Sequence, residues 1–263
     1  MSISLILALA APPAAPAAPP APATPAPDTC TTLVITGHPS YPPVAWAAGG
    51  KIAGAAPDLV TRVARSVGVQ QVESRDFGSW EKAQAAARSG AADVIFGIYR
   101  TEERKEFLDY LEPPFMTDPV AIVVRKGAAF RFAGWNDLKG KKGVTNAGES
   151  FGDRFDTFLA RELDVTRAPG VDRVFAALLD GKADYAIIAL YPGRNLARKL
   201  GIQGKVEFLP RELVSADMFV AFSRKSSCAA GLRERFVRAL QEAVRGGEVK
   251  KLLEEADLEF AGK

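Results

Sequence analysis

The sequence predicts an α/β fold. Helical segments stop at glycine and run into apolar strands. One such unit is echoed in the second half of the chain. The composition, 48% hydrophobic and 25% charged over 263 residues, is that of a globular protein able to bury a large core.

Four helices are read in order. Residues 58–67 place Leu59, Val60, Val63, Ala64 and Val67 on one face, and Gly68 stops them. Residues 80–89 end at Gly90, and Val94-Ile95-Phe96 follows. Residues 172–180 end at Gly181 ahead of Tyr185-Ala186-Ile187-Ile188, and residues 192–200 open on Pro192 and end at Gly201 ahead of Val206-Glu207-Phe208-Leu209. Alternating helices and strands imply mainly parallel sheets. Gly49-Gly50 reads as a hairpin turn.

The echo pairs Gly90-Ala91-Ala92-Asp93 with Gly181-Lys182-Ala183-Asp184, each a helix end followed by an apolar strand. This fits one unit used once in each of two lobes. The runs Val120-Ala121-Ile122-Val123-Val124 and Met218-Phe219-Val220-Ala221-Phe222 are expected to carry the chain out to the second lobe and back, each lobe keeping its own sheet. Lobe one is expected over residues 31–119 plus 218–263, and lobe two over 120–217. Leu232, Phe236, Leu240 and Val244 form a stripe that should pack the C-terminal helices on lobe one.

Residues 1–27 are of another kind. Ile3 to Ala11 is an apolar run followed by small residues, and Pro12 to Pro27 is Ala and Pro apart from Thr24. This reads as a signal peptide and an extended tether, although no Lys or Arg precedes the apolar run. No other stretch is apolar and long enough to cross a bilayer. An exported, periplasmic protein is expected. Cys30 lacks the apolar and small residues that precede a lipid-attachment site. In an exported chain Cys30 and Cys228 suggest a disulfide, the alternative being two unrelated thiols.

The formal net charge of +3 is spread along the chain, and Lys139-Gly140-Lys141-Lys142 reads as a solvated turn. No nucleic-acid partner is expected. No metal-ligand spacing, phosphate loop or nucleophile–base pair appears, so no metal and no cofactor is expected.

Several segments together resemble the extracellular solute-binding proteins of polar amino-acid uptake systems. They are Leu33-Val34-Ile35-Thr36, Tyr41-Pro42-Pro43, Gly90 to Gly97, Thr101-Glu102-Glu103-Arg104, Leu108-Asp109-Tyr110 and Leu138 to Val144. The resemblance runs from about Leu33 to about Phe260. It implies a two-lobed periplasmic-binding-protein-like fold of type II, with two hinge strands and a ligand cleft between the lobes. It also implies the permease of an ABC transporter as partner, and the protein itself is expected to be a monomer.

The resemblance assigns Arg104 to the ligand's carboxylate, a role its planar, two-pronged guanidinium suits. Thr101 adds a hydroxyl and an N–H. Trp80 and Tyr41 are wall positions, the alternative for Trp80 being plain core. Ser150 is expected to open a helix in lobe two, capping it or holding a carboxylate. Tyr99 is expected to line the cleft. Where the family presents acids to the ligand's ammonium, this chain has His38, its sole histidine, and Ala189. The amine is therefore expected to matter less than the carboxylate; either Glu149 or Glu81 replaces the missing charge, or the ligand carries no ammonium. Binding without chemistry is the expected function. A dehydratase-like periplasmic enzyme on the same fold, using Glu81, Glu149 or His38, and a ligand sensor are the alternatives.

Overall fold

A computed structural model describes residues 30–262. The apolar run and the Ala/Pro segment read as leader and tether lie outside the described residues.

The chain begins with β1 (Thr32–Thr36), the short strands β2 (Ser40–Tyr41), β3 (Ala45–Ala48) and β4 (Lys51–Ala53), helix α1 (Ala55–Ser66) and β5 (Gln71–Ser74). Then come α2 (Trp80–Ser89), β6 (Val94–Tyr99), the single turn α3 (Glu102–Lys105), β7 (Leu108–Tyr110) and the long strand β8 (Met116–Arg125). The second half holds β9 (Lys142–Asn146), α4 (Asp153–Glu162), β10 (Asp164–Ala168), α5 (Val171–Leu179), β11 (Tyr185–Ala189) and α6 (Leu190–Lys199). It closes with β12 (Val206–Ser223), α7 (Ala229–Arg245) and α8 (Glu248–Ala261).

The four Gly-stopped helices are present, α2 over the expected residues. Gly90 ends α2 in the left-handed conformation at φ 87°, where a side chain would be strained. Helix α1 starts three residues earlier than the apolar face alone indicated, after Gly54. Gly49-Gly50 does connect β3 to β4.

Parallel pairing is confined to two triplets, β5-β1-β6 and β10-β9-β11. Every strand pair involving β8 or β12 is antiparallel. The two triplets are also not separate sheets. They join in one nine-stranded sheet, eight strands in the order β10-β9-β11-β8-β12-β6-β1-β5 and the ninth, β7, paired with β12. The reason is that the two crossing strands pair with each other. β12 runs along β8 from Val206 to Met218 and along β6 from Met218 to Phe222, with breaks in register between Phe208 and Val214. Sequence patterning marks each crossing strand but not its partner.

Within each triplet the echoed aspartate does the same job. The Asp93 N–H donates to Val34 O at 2.8 Å and its carboxylate accepts from Val34 N at 2.9 Å. In the second triplet Asp184 N donates to Lys142 O at 2.7 Å and its carboxylate accepts from Lys142 N at 2.8 Å. Each therefore closes the first hydrogen bonds of the neighbouring parallel strand, where a slanted ladder leaves groups unpaired.

The main core lies under α1, α7 and α8. Leu232, Phe236 and Leu240 of the predicted stripe are buried, and Val244 is half-buried. Each fully buried Leu or Phe contributes about 2 kcal/mol. The Phe236 ring meets Phe222 of β12 edge to face at 5.4 Å, and Arg62 of α1 pairs with Glu248 of α8 at 2.8 Å. A second core gathers Val144, Val174, Phe175, Leu178 and Ile188 around α5. Cys30 and Cys228 form a disulfide with Cα atoms 4.9 Å apart.

Candidate ligand-binding cleft

The cleft is built where the C-terminal ends of the two parallel triplets face each other. On the first side β6 ends at Tyr99, and the chain turns into α3. The Thr101 hydroxyl accepts from Arg104 N at 3.2 Å, capping that turn. Arg104 is held inward, 5% exposed. Its Nε donates to Gln84 Oε1 at 3.0 Å, Nη1 to Tyr99 O at 3.1 Å and Nη2 to Gly148 O at 3.2 Å. The Trp80 ring lies 5.7 Å from the guanidinium carbon. Burial pushes the Arg104 guanidinium below its usual range, and neighbouring Tyr110 and Glu149 oppose that. Among the described residues it makes no ion pair, and three of its five N–H donors are used.

On the second side β9 ends at Asn146 and a tight turn follows. Gly148 has φ +76°, and a Cβ there would lie 2.8 Å from Glu81 Cγ, so α2 and this turn meet because position 148 has no side chain. Gln84 Nε2 also donates to Gly148 O, at 3.1 Å. Glu149 reaches across the gap, its Oε1 3.0 Å from His38 Nε2. The Nδ1 of His38 accepts from Ser40 N at 2.9 Å, so the ring proton sits on Nε2 and is donated to Glu149. Asn146 donates from Nδ2 to the same Oε1 at 3.3 Å, its own Oδ1 being fixed by Gly170 N at 3.0 Å. Burial alone would raise the Glu149 carboxyl, but the His38 and Asn146 bonds and Arg104 hold it below the usual carboxylate range. Its Oε2 has no partner among the described residues.

At the floor, Tyr41 and Tyr99 both donate to Oδ2 of Asp118, on β8, the latter at 2.5 Å. Their hydroxyl oxygens lie 3.0 Å apart. Burial pushes both phenols well above their usual range.

His38, Tyr41, Trp80, Tyr99, Arg104 and Glu149 surround one enclosed space of about 10 Å³. Tyr41, Tyr99, Asn146, Glu149 and Ala189 help line another of about 20 Å³. Each is of the size of one water molecule, so the two sides stand close together there. Outside the Arg104–Gly148 contact lies an open groove of about 680 Å³, lined by Thr101, Glu81, Ser150 and Asp156.

Of the residues predicted from sequence, His38, Tyr41, Trp80, Tyr99 and Arg104 come together. Thr101 sits at the mouth. Trp80 serves both readings, since it packs in the core with Ile95 and Ile98 while its ring lies 5.2 Å from that of His38. Ser150 behaves differently from expectation. Helix α4 starts after Gly152, and the Ser150 hydroxyl donates to the Asp156 carboxylate, which also accepts from Phe151 N at 2.9 Å. The Ser150 oxygen accepts from Gly152 N at 3.3 Å, ahead of the helix, while its proton goes to a charged acceptor one turn into α4. Glu81 is exposed at the mouth. Gln84, Asn146 and Asp118 were not foreseen. Gln84 had a signal, lying four residues after Trp80 on the same helix face.

Solved structures of the same fold are numerous. A histidine kinase sensor domain with similarity to periplasmic binding proteins superposes with TM-score 0.72 at 26% identity, covering 85% of this chain and 95% of that one. An amino acid ABC transporter substrate-binding protein from Streptococcus pneumoniae, bound to L-arginine, gives 0.73 at 23% identity over 89% and 97%. An ancestral arginine-binding protein bound to glutamine gives 0.69 at 25% identity over 86% and 97%. No protein of curated function matches by sequence. The profile of one family matches residues 33–256, nearly all that the structure describes, and by that match the chain belongs to the bacterial extracellular solute-binding proteins, family 3.

Proposed function

We propose that this chain is an exported solute-binding protein that captures a small carboxylate-bearing, amino-acid-like ligand and delivers it, unchanged, to the permease of an ABC transporter. One observation carries the reading. Arg104 is a buried cation whose hydrogen bonds all go to neutral acceptors. A buried charge without a counter-ion is costly, and a ligand carboxylate on its two remaining donors would remove that cost. Glu149, with Oε2 unpartnered, is the acid placed to take an ammonium group in lieu of those missing at His38 and Ala189. The lobes would comprise residues 31–119 with 218–263, and 120–217, and would close about β8 and β12.

The neighbours support this, since two of them are amino-acid-binding proteins caught with ligand. The sensor-domain neighbour supports a second reading, in which a receptor rather than a permease recognises the closed form. Calorimetry with a panel of α-amino acids and their deaminated analogues, followed by mass analysis of the mixture, tests the first. Binding of at least one carboxylate, lost in Arg104→Ala, with the ligand recovered intact, is expected. Product formation that Glu149→Gln abolishes would overturn it in favour of an enzyme.

A further inference from the structure

The cleft contains one buried acid that the carboxylate site does not use. Asp118 is wholly inaccessible to solvent and lies on β8, paired in register with Ala216 of β12. It is therefore on the crossing itself, beneath the space where the two sides meet. Its Oδ2 takes the hydroxyl protons of both Tyr41 and Tyr99. Its Oδ1 is buried and has no hydrogen-bond partner among the described residues.

The proton count is informative. A phenol has one proton and two acceptor lone pairs. Both protons are directed to the same carboxylate oxygen, so neither phenol has one left for the 3.0 Å contact between the two hydroxyl oxygens. Tyr41 and Tyr99 line both enclosed spaces of the cleft. They therefore face a ligand as a pair of acceptors backed by a negative charge. The larger of the two spaces is otherwise lined by apolar residues such as Val171 and Ile187, together with Thr145 and Asn146. Charge gives a second, independent argument. The groups lining or underlying the enclosed spaces are one cation, Arg104, and two acids, Glu149 and Asp118. A ligand with one carboxylate and one ammonium satisfies only Arg104 and Glu149.

We infer that Asp118 is a specificity-determining positioning residue: by anchoring Tyr41 and Tyr99 as acceptors it selects ligands whose end remote from the carboxylate is a cationic hydrogen-bond donor. The inference rests on the proposed function, since it takes Arg104 as the carboxylate anchor. The Arg104 guanidinium meets Tyr99 at its backbone carbonyl, whereas Asp118 meets it at its phenol. The two sites are thus separated by the length of a tyrosine, more than the span between the carboxylate and amine of an α-amino acid, so the selected group belongs to the ligand's side chain. Asp118 acts through the phenols, and its unpartnered oxygen gains from the added positive charge.

The test uses two matched pairs on the intact protein, L-lysine against L-norleucine and L-ornithine against L-norvaline, which differ only in the side-chain amine. Wild type should favour one cationic member over its mate at least about 30-fold. Asp118→Asn should abolish that preference, read as the ratio of the two members' affinities. Tyr41→Phe and Tyr99→Phe keep the buried acid and should each narrow the preference. They supply the result if the Asp118 variant does not fold. A merely structural role would lower melting temperature and weaken both members alike, and that result overturns the inference. So does a wild type that binds other α-amino acids but neither cation, or that favours the neutral members; in both cases the carboxylate site stands. No binding of any amino acid or carboxylate overturns both readings.

Discussion

The two parallel triplets use the same device for opposite ends. Asp93 and Asp184 stand at equivalent points and bond their neighbouring strands in the same way. Around that shared backbone the halves diverge. The first is stapled by a disulfide, and Asp93 also accepts from Ser226 Oγ at 2.7 Å, just ahead of α7. It contributes rings and the buried cation. The second has no disulfide, its Asp184 is exposed, and it gives the cleft a tight turn with one carbonyl and one acid. The lesson is that repetition of a scaffold preserves strand-end bonding while the side chains beyond the strand ends are free to differ.

Four measurements would break or sharpen this contrast. The largest effect belongs to the staple. Replacing Cys30 and Cys228 with Ser should cost about 2–5 kcal/mol of unfolding free energy, because the bridge closes a loop of 198 residues. Proteolysis under mild denaturant should then open the first half before the second. The reverse order would show that the bridge is not what holds the first half together.

Next in size is the acid on the crossing strand. Burial pushes the Asp118 carboxyl up to about 6, opposed by hydrogen bonds from Tyr41 and Tyr99, with Glu149 adding to the rise. Its unfolded value is about 3.9, so the folded chain holds this proton more tightly. Its contribution to stability is full below about pH 4 and is lost as pH rises through the folded value. Asp118→Asn should therefore gain about 3 kcal/mol on wild type between about pH 4 and pH 7. Denaturant melts at the two pH values measure this, and a difference that does not change with pH would show that Asp118 does not titrate there.

Third is Arg104. Arg104→Ala should lose at least about 2 kcal/mol of ligand binding, and Arg104→Lys should restore only part of it, since an ammonium cannot bond two oxygens in parallel. Full recovery by Lys would reduce the site to a point charge. The smallest effects separate the echoed aspartates. Asp93→Ala should destabilise by about 2 kcal/mol and Asp184→Ala by about 0.5 kcal/mol, the first having two bonding directions and partial burial, the second an exposed side chain. Equal losses in thermal melts would show the two ends to be energetically alike.

Much of this was legible in the sequence where the controlling forces are local. Glycines with positive φ stopped helices where the apolar faces ran out, and the echo located the start of both β6 and β11. Arg104 was singled out by resemblance rather than by local pattern; in the structure the Thr101 hydroxyl caps the single turn that carries it, and its guanidinium is buried. Non-local pairing was not legible. Nothing in residues 116–125 announces that β8 pairs with β12, so one joined sheet was not foreseen. Asp118 stands in front of Pro119 at the edge of an apolar run, and nothing local singles it out. Its meaning depends on Tyr41, 77 positions away. Ser150 was expected to open α4, but the helix begins after Gly152, so its hydroxyl joins the turn before the helix to Asp156 within it.

The disulfide also determines how the molecule bears load. Cys30 stands two residues before β1, an interior strand flanked by β5 and β6, and its partner precedes the first turn of α7. A pull on the chain ahead of Cys30 would otherwise act on the end of β1 and unzip its ladder one bond at a time. The bridge diverts that tension into α7, which is seated on the core along several turns and must shear as a unit. The folded body is thus held at a knot rather than by a thread, and force along the leading segment leaves β1, and the cleft at its far end, undisturbed.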